Sequence, residues 1–181
     1  MLLLSATASP AQLFGKVVGV ADGDTVTILE ESDQQHKVRL AGIDAPERRQ
    51  AYGDRAKQHL SSLVYGKTVV VVWDKRDRYG RIVGRVLARD CSGLTCRYSI
   101  DAGLEQIKAG LAWHYKQYEK EQAPAERMRY AALEQEARTR REGLWHDAGP
   151  VPPWEYRHHS GPSDRAALRH LKPSGFWPAS Q

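Results

Sequence analysis

The amino-acid sequence predicts an α+β fold in which five strands form a small closed β-barrel and three helices pack against it. Three observations lead to this prediction. The chain of 181 residues suffices for one well-buried core and is short for two. Five segments rich in β-branched residues follow one another with short turns. Three further segments repeat their apolar residues at helical spacing. Closed five-stranded barrels of this size are often OB-folds.

The first three predicted strands form a meander. Residues 13–20 alternate between apolar and polar side chains, and the Asp-Gly turn at 21–24 leads into a second strand at 25–31. A polar turn at 32–35 then precedes a third strand at 36–43. The order favours pairing of each strand with the next.

The last two predicted strands follow the first helix. A β-branched run predicts a strand at 67–74, and a second run predicts one at 81–90 after a loop that contains a Tyr-Gly pair. Together with the meander they provide the five strands of the barrel.

Three segments are predicted to be helical. Residues 54–64 place four apolar side chains on one helical face, and residues 99–110 repeat the pattern and stop at Gly110. Residues 123–143 have Pro124 near the first position and a glycine after the end, as helices commonly do.

The ends of the chain differ in composition from the predicted domain at 13–146. Residues 1–12 contain a short apolar run and small residues that resemble the end of a secretory signal, but a basic start and a full apolar stretch are missing. They are interpreted as an N-terminal extension, either the remnant of a signal peptide or a frayed end. Residues 147–181 are proline-rich and predict an irregular C-terminal extension, which the aromatic residues Trp154, Tyr156 and Trp177 can dock onto the body.

The charge of the chain favours a polyanionic partner without proving one. Lys and Arg number 27 against 22 Asp and Glu, which gives a net charge of +5. The ordinary apolar and charged content argues against a disordered or fibrous protein. No stretch approaches the 18 or more apolar residues of a membrane span, so no membrane partner is expected.

The two cysteines, Cys91 and Cys96, are separated by four residues around Gly93, a spacing that suits neighbours across a hairpin turn. A disulfide there implies an oxidising compartment and therefore an exported protein, periplasmic or secreted. The alternative is a pair of reduced thiols in a cytoplasmic protein. Zinc is disfavoured, because no second Cys/His pair lies at ligand spacing.

Four carboxylates lie at the ends of predicted strands. Asp22 and Asp24 fall in the turn after the first strand, and Asp44 and Glu47 follow the third. Each alone is typical of an ordinary turn. Asp24 and Asp44, however, lie near the ends of strands that a barrel can place side by side. Their oxygens suit a hard cation such as Ca²⁺, supplemented by a main-chain carbonyl and water. No His or Cys accompanies them, which disfavours a transition metal.

Two arginines are candidates for phosphate binding. Arg39 lies on the third predicted strand, five residues before Asp44, and Arg81 directly follows the Tyr-Gly pair. Alternatively, Arg39 is a strand arginine that extends to water and Arg81 belongs to a solvated basic loop. Two guanidinium groups beside a cation and a carboxylate would form a phosphodiester site, since they stabilise charge that grows on the phosphate. Glu47 would then deprotonate or align a water.

Four motifs occur together in the order "DGDT", "VRLAGIDAPE", "DRYGR" and "GLAW". In this order and at these intervals they closely resemble the staphylococcal (micrococcal) nuclease family, also called thermonucleases, over residues 13–146. The resemblance implies an OB-fold barrel with three helices. It also implies a Ca²⁺-dependent phosphodiesterase that cleaves DNA and RNA with low sequence specificity and leaves 3′-phosphate ends.

The resemblance also assigns roles to residues of this chain. It implies one bound Ca²⁺, a catalytic trio, metal ligands with an outer-shell carboxylate, and two tyrosines of the nucleotide pocket. The catalytic trio is Arg39, Glu47 and Arg81. The metal ligands are Asp24, Asp44 and the main-chain carbonyl of Ala45, with Asp22 in the outer shell. The two tyrosines are Tyr79 and Tyr118. Ala45 stands where the best-known member has Thr, which leaves a carbonyl ligand in place. Surface packing is the alternative role of Tyr118.

The expected partner is single-stranded or locally open DNA and RNA, bound by a monomer. The alternative function is a non-catalytic module of the same fold that only binds nucleic acid. Such a module would be expected to lack one of the catalytic residues, and all of them are present. The C-terminal extension is a separate candidate for binding a further partner.

Overall fold

The computed structural model of the protein describes residues 10–92 and 95–159. The strands and helices follow the chain in a mixed order. They are β1 (Ala11–Val20), β2 (Thr25–Leu29), β3 (Gln35–Leu40), β4 (Ile43–Asp44), α1 (Gly53–Val64), β5 (Thr68–Arg76), β6 (Ile82–Asp90), β7 (Arg97–Asp101), α2 (Ala102–Lys108), β8 (Trp113–His114), α3 (Pro124–Thr139) and α4 (Pro153–His159). Two 3₁₀ helices, Lys116–Glu121 and Gly143–His146, flank α3.

Five strands close into a barrel. The sheet has the order β3-β2-β1-β5-β6-β7, and β3 also pairs with β6. The closing pair is parallel, with Val38 opposite Ile82 and Leu40 opposite Gly84, whereas the other pairs are antiparallel. This confirms the predicted α+β fold with a closed five-stranded barrel. The strand β7 extends the sheet beyond the closure.

The barrel interior is filled by alternate side chains of its strands, most of them β-branched, which suits a pleated and densely packed surface. The fully buried members include Val17, Val26, Ile28, Val38, Val69, Val71, Ile82 and Val86. α1 packs Ala56, Leu60 and Val64 into the same core. These residues form the rigid body on which the strand ends are displayed.

The third predicted strand is broken in the structure. β3 ends at Leu40, and the chain turns through Gly42, whose φ of 75° is one that glycine adopts readily. The continuation, β4, pairs instead with β8, with Ile43 opposite His114 and Asp44 opposite Trp113. Asp44 therefore leaves the barrel wall at one end of the barrel.

Two helices have different bounds from those predicted. Residues 99–101 belong to β7, and α2 begins only at Ala102, because Asp101 accepts hydrogen bonds from the main-chain N–H groups of Gly103 and Leu104 as an N-cap. α3 ends at Thr139, before the positive φ angles of Arg141 and Gly143. The disulfide between Cys91 and Cys96 joins the ends of β6 and β7, with Cα atoms 4.2 Å apart.

The C-terminal extension was predicted to be irregular from residue 147, and this is wrong for residues 153–159, which form α4. Pro153 is tolerated at the first position of a helix, where its missing N–H is not needed. The ring of Trp154 stacks on Tyr115 at 5.7 Å and meets Trp113 edge-on at 6.3 Å. Residues 1–9 and 160–181, which include Trp177, lie outside the described residues. Within the described part, no helix is long and apolar enough to cross a bilayer.

Candidate active site

One guanidinium group joins two carboxylates that are far apart in the sequence. Arg39 on β3 places Nη1 2.6 Å from Oδ1 of Asp24 and Nη2 2.8 Å from Oδ1 of Asp44. Antiparallel pairing sets Arg39 opposite Thr25, next to Asp24, and the turn after β3 brings Asp44 back. Both carboxylates are buried, with residue exposures of 4% for Asp24 and 0% for Asp44. The structure thus brings together three of the predicted site residues.

Asp24 is fixed by further hydrogen bonds. Its Oδ2 accepts one from the main-chain N–H of Ala45 at 3.0 Å, and its Oδ1 accepts one from the Thr25 hydroxyl at 3.0 Å. The main-chain N–H of Asp24 itself donates to Oδ1 of Asp22 at 3.1 Å. The four predicted metal-binding positions are therefore within one connected hydrogen-bond network.

The charges in this network shift its pKa values. Burial alone would lower the pKa of Arg39, but the charges of Asp24 and Asp44 outweigh it and raise that pKa above its usual value. Burial and the neighbouring Asp24 raise the pKa of Asp22 to about 6. Burial also raises the pKa of Asp44, against the opposing effects of Arg157 and Arg39. Arg39 is therefore a permanent cation between the two carboxyl groups.

Glu47 lies on the loop between β4 and α1. Its main-chain N–H donates to the side chain of Gln50 at 3.1 Å, and its carbonyl accepts from the N–H of Gln50 at 2.8 Å. A Cβ atom at Gly53 would lie 2.1 Å from that carbonyl, so only glycine lets α1 start this close to the loop. The Glu47 side chain remains 39% exposed and lines the cleft, close enough to Asp44 for one guanidinium to contact both carboxylates.

A residue that the sequence analysis missed is Arg157 on α4. Its Nη2 lies 2.7 Å from Oδ2 of Asp44, and its Nη1 lies 2.8 Å from Oε1 of Glu47 and 3.2 Å from Oδ1 of Asp44. A second guanidinium thus bridges a predicted metal ligand and the predicted general base. The local sequence holds no signal for this role, although the aromatic residues around Arg157 did indicate docking.

Arg81 lines the same cleft but is not joined to this network. Its Nε donates to Oδ2 of Asp77 at 2.7 Å, and its main-chain N–H donates to Oδ1 of Asp77 at 3.0 Å. The cleft has a volume of about 1320 Å³ and is lined by Asp24, Arg39, Glu47 and Arg81, among others. The structure therefore places the two predicted phosphate-binding arginines in one cavity without direct contact.

Aromatic rings border the cleft. Tyr79 and Tyr118 are 68% and 46% exposed, and both line the cavity. Tyr118 meets Tyr115 edge-on with ring centroids 5.2 Å apart, and Tyr115 stacks on Trp154. Tyr118 therefore both packs on a neighbour and faces the cleft. Tyr115 and Trp154 were not predicted as cleft residues.

Two carboxyl groups at this end of the barrel offer the kind of oxygen ligand that hard cations prefer. These are the side chains of Asp24 and Asp44, and the guanidinium of Arg157 already contacts both oxygens of Asp44 and one oxygen of Glu47. No cluster of three or more His, Cys, Asp or Glu residues suited to a metal occurs within 10–92 and 95–159. A bound cation would therefore also need main-chain oxygen and water, as the sequence analysis expects.

Comparisons with known proteins agree on one family. The profile of the family described as "Staphylococcal nuclease homologue" matches residues 37–147. An Escherichia coli protein named "Uncharacterized endonuclease" is 42% identical over 148 residues, which cover 82% of this chain and 87% of that protein. A Shigella flexneri protein named "Micrococcal nuclease" is 39% identical over 87% of each chain. A staphylococcal-like nuclease of Arabidopsis thaliana is 39% identical over 68% of this chain and 34% of its own.

Proposed function

The chain belongs to the family of staphylococcal nuclease homologues and is a nuclease, and we propose that it is a calcium-dependent endonuclease. It hydrolyses phosphodiester bonds of DNA and RNA with low sequence specificity and leaves 3′-phosphate ends. The observation that carries this proposal is the contact of Arg39 with two buried carboxylates, beside Glu47 and in the same cleft as Arg81.

The two predicted arginines bind the scissile phosphate. Negative charge grows on the phosphate oxygens in the transition state, and forked guanidinium donors stabilise it more than they stabilise the bound substrate. Arg39 is presented from the barrel wall and Arg81 from the loop before β6, so the phosphate is held between two elements of the fold. In comparable sites the loss of one donor costs about 3 to 4 kcal/mol of transition-state stabilisation.

Asp24, Asp44 and the main-chain carbonyl of Ala45 would hold one Ca²⁺, with Asp22 in the outer shell. When bound, Ca²⁺ would neutralise part of the charge on the reacting phosphate. The support from this structure is the burial of Asp24 and Asp44 and their shared contact with Arg39.

Glu47 orients the attacking water and accepts its proton. The carboxylate is half-exposed at the cleft, where water can reach it, and its loop is fixed by Gln50 and by the close approach of Gly53. A positioned general base of this kind contributes about 10² to 10⁴ in rate. Arg157 has to release Glu47 before the carboxylate can serve in this way.

The nucleic acid enters the cleft in single-stranded or locally open form. Tyr79 and Tyr118 are exposed at the cavity, where bases can stack on them with little regard to sequence. The net charge of +5 attracts the polyanion from a distance. A monomer provides every residue named in this site.

The disulfide supports export of the protein to an oxidising compartment, periplasmic or extracellular, over the cytoplasmic alternative. Intact mass measured after alkylation should be higher by two alkyl groups, one on Cys91 and one on Cys96, when the protein is reduced first. Free thiols in native material would favour the cytoplasm. A partner for residues 160–181 stays a prediction, because that segment lies outside the described residues.

The calcium requirement is tested on denatured DNA. Activity should vanish when EGTA is added and return with excess Ca²⁺, and Mg²⁺ should substitute poorly, because it demands a stricter octahedral geometry. End-group analysis should find 3′-phosphates on the products. Full turnover with Mg²⁺ alone would contradict the proposed metal site, and binding without turnover under all conditions would favour the non-catalytic alternative.

A further inference from the structure

The helix α4 lies after the part of the chain that the family profile matches, yet it reaches the catalytic residues. The profile ends at residue 147, and α4 spans Pro153–His159. Its Arg157 contacts Asp44 and Glu47, which have separate proposed roles in metal binding and in catalysis. In the mechanism proposed above, the contact with Glu47 enters only as one that must be released, and the contact with Asp44 has no assigned role.

Arg157 occupies the oxygens that a cation would need. Oδ1 of Asp44 is shared between Arg39 and Arg157, and Oδ2 is bound by Arg157 at 2.7 Å. The second guanidinium also neutralises Glu47. A divalent cation and the Arg157 guanidinium are both positive and would bind the same carboxylate of Asp44. Binding of one therefore disfavours binding of the other.

The position of Arg157 is set by contacts away from the carboxylates. Trp154 packs between Trp113 and Tyr115, and the side chain of Gln50 donates to the carbonyl of Val151 just before α4. The helix is thus anchored on the body, whereas the Arg157 side chain as a whole is 40% exposed. The side chain can therefore exchange its partners while the helix stays docked.

The charges at the site favour this arrangement without a metal. Asp24, Asp44 and Glu47 carry negative charge next to the single guanidinium of Arg39, and two of these carboxylates are almost fully buried. An unpaired buried charge is costly, so a second cation at Asp44 stabilises the metal-free state. A group that stabilises only the metal-free state weakens metal binding by the same free energy.

We propose that Arg157 is an internal competitor of the metal ion, so that α4 determines the Ca²⁺ affinity of the active site. The guanidinium holds Asp44 and Glu47 in the metal-free protein and must release both before the site is competent. The inference rests on the calcium site of the proposed function and deepens it. It makes α4 a latch on the catalytic carboxylates, opened by the cation that catalysis requires.

The test is calorimetric titration of the full-length, chelator-treated protein with Ca²⁺ in the absence of nucleic acid. Arg157→Ala should bind Ca²⁺ about tenfold more tightly than the wild type, which corresponds to about 1.4 kcal/mol. Arg157→Lys keeps the charge but loses the forked geometry, so it should fall between the two. Trp154→Ala, which weakens docking of α4 at a distance from the carboxylates, should shift the affinity in the same direction.

The matched control is Arg49→Ala, which removes the same charge from an exposed side chain on the loop that carries Glu47. Its Ca²⁺ affinity should stay within about twofold of the wild type, since exposed charges are screened. Circular dichroism of every variant in EGTA confirms folding before the titration. If Arg157→Ala alone fails to fold, Arg157→Lys and Trp154→Ala decide the question by the same shift.

An unchanged or weaker Ca²⁺ affinity in the folded Arg157 and Trp154 variants would overturn the latch while leaving the calcium site intact. The absence of Ca²⁺ binding in the wild type and in every variant would overturn the calcium assignment and the latch together. Nuclease activity measured on the same samples separates this result from a failure of the nuclease function as a whole.

Discussion

The two arginines proposed to bind phosphate are held in contrasting ways. Arg39 lies on the barrel wall between two buried carboxylates, and its side chain is 18% exposed. Arg81 lies at the end of a loop with its side chain 25% exposed, and its partner Asp77 is 19% exposed, whereas the side chains of the partners of Arg39 are 6% and 0% exposed. Arg39 is therefore part of the folded core as well as of the site, whereas Arg81 can be changed with little cost to folding. Substitutions of the two arginines therefore separate the contribution of a guanidinium to activity from its contribution to the stability of the fold.

The largest effect is expected from Arg39→Ala. The substitution leaves Asp24 and Asp44 buried without their common partner, which costs about 3 to 5 kcal/mol of unfolding free energy. Activity should fall by at least about 10² to 10³, because a phosphate donor is also lost. Excess Ca²⁺ should recover part of the stability, since the folded state again has a cation to bind. Chemical denaturation in EGTA and in Ca²⁺ measures both quantities.

Arg81→Ala is the matched comparison for that variant. Its activity should fall by a similar factor of about 10² to 10³. Its unfolding free energy should change by only about 1 kcal/mol, because the partner Asp77 lies on a loop and keeps contact with solvent. If both substitutions lowered the unfolding free energy equally, the contrast between Arg39 on the barrel wall and Arg81 on a loop would be contradicted. Full activity of Arg81→Ala would remove that residue from the mechanism.

The next effect is expected at Glu47, on the loop between β4 and α1. Glu47→Gln keeps the size of the side chain and should lower kcat by about 10² to 10⁴, because the amide cannot accept the proton of the attacking water. The unfolding free energy should change little, since the carboxylate is half-exposed and its loop is fixed by main-chain contacts. Glu31→Gln, at an exposed position on a distant turn, serves as the control. An unchanged kcat would show that another group activates the water.

The parts of the fold that the sequence predicts are those with local patterns. Alternation of β-branched residues predicts each of the five barrel strands, and the ordered motifs predict the carboxylates and Arg39 as one cluster. The late start of α2 could also have been predicted, because Asp101 precedes the apolar helical residues as an N-cap should. These features depend on residues that are close together along the chain.

The features that the sequence analysis missed depend on distant contacts. The break between β3 and β4 is stabilised by pairing of Ile43 with His114. The helix α4 forms in a proline-rich segment because Trp154 packs on Trp113 and Tyr115. The role of Arg157 follows from that docking and has no signal of its own. Composition therefore gave the wrong prediction for α4, whose structure is decided by tertiary packing.

The smallest effect is expected from Asp77→Asn, which tests how Arg81 is positioned. Burial would raise the pKa of Asp77, but hydrogen bonds from the side chain and main chain of Arg81 and from the N–H of Tyr79 outweigh it and lower that pKa. The amide cannot form the same ion pair, so Arg81 should become mobile. Activity should fall about tenfold, mainly in kcat, as for one charged hydrogen bond.

The pH dependence distinguishes this positioning role from a general loss of stability. A carboxylate with a lowered folded pKa stabilises the protein above its unfolded pKa, and this contribution is lost as the pH falls through the folded value. The difference in unfolding free energy between wild type and Asp77→Asn should therefore be about 0.5 to 1 kcal/mol at pH 7 and should vanish at acidic pH. Asp74→Asn removes the same charge at an exposed neighbouring position and should change neither quantity. If it lowers activity as much as Asp77→Asn, the loop responds to charge alone, and the pairing with Arg81 does not position the catalytic guanidinium.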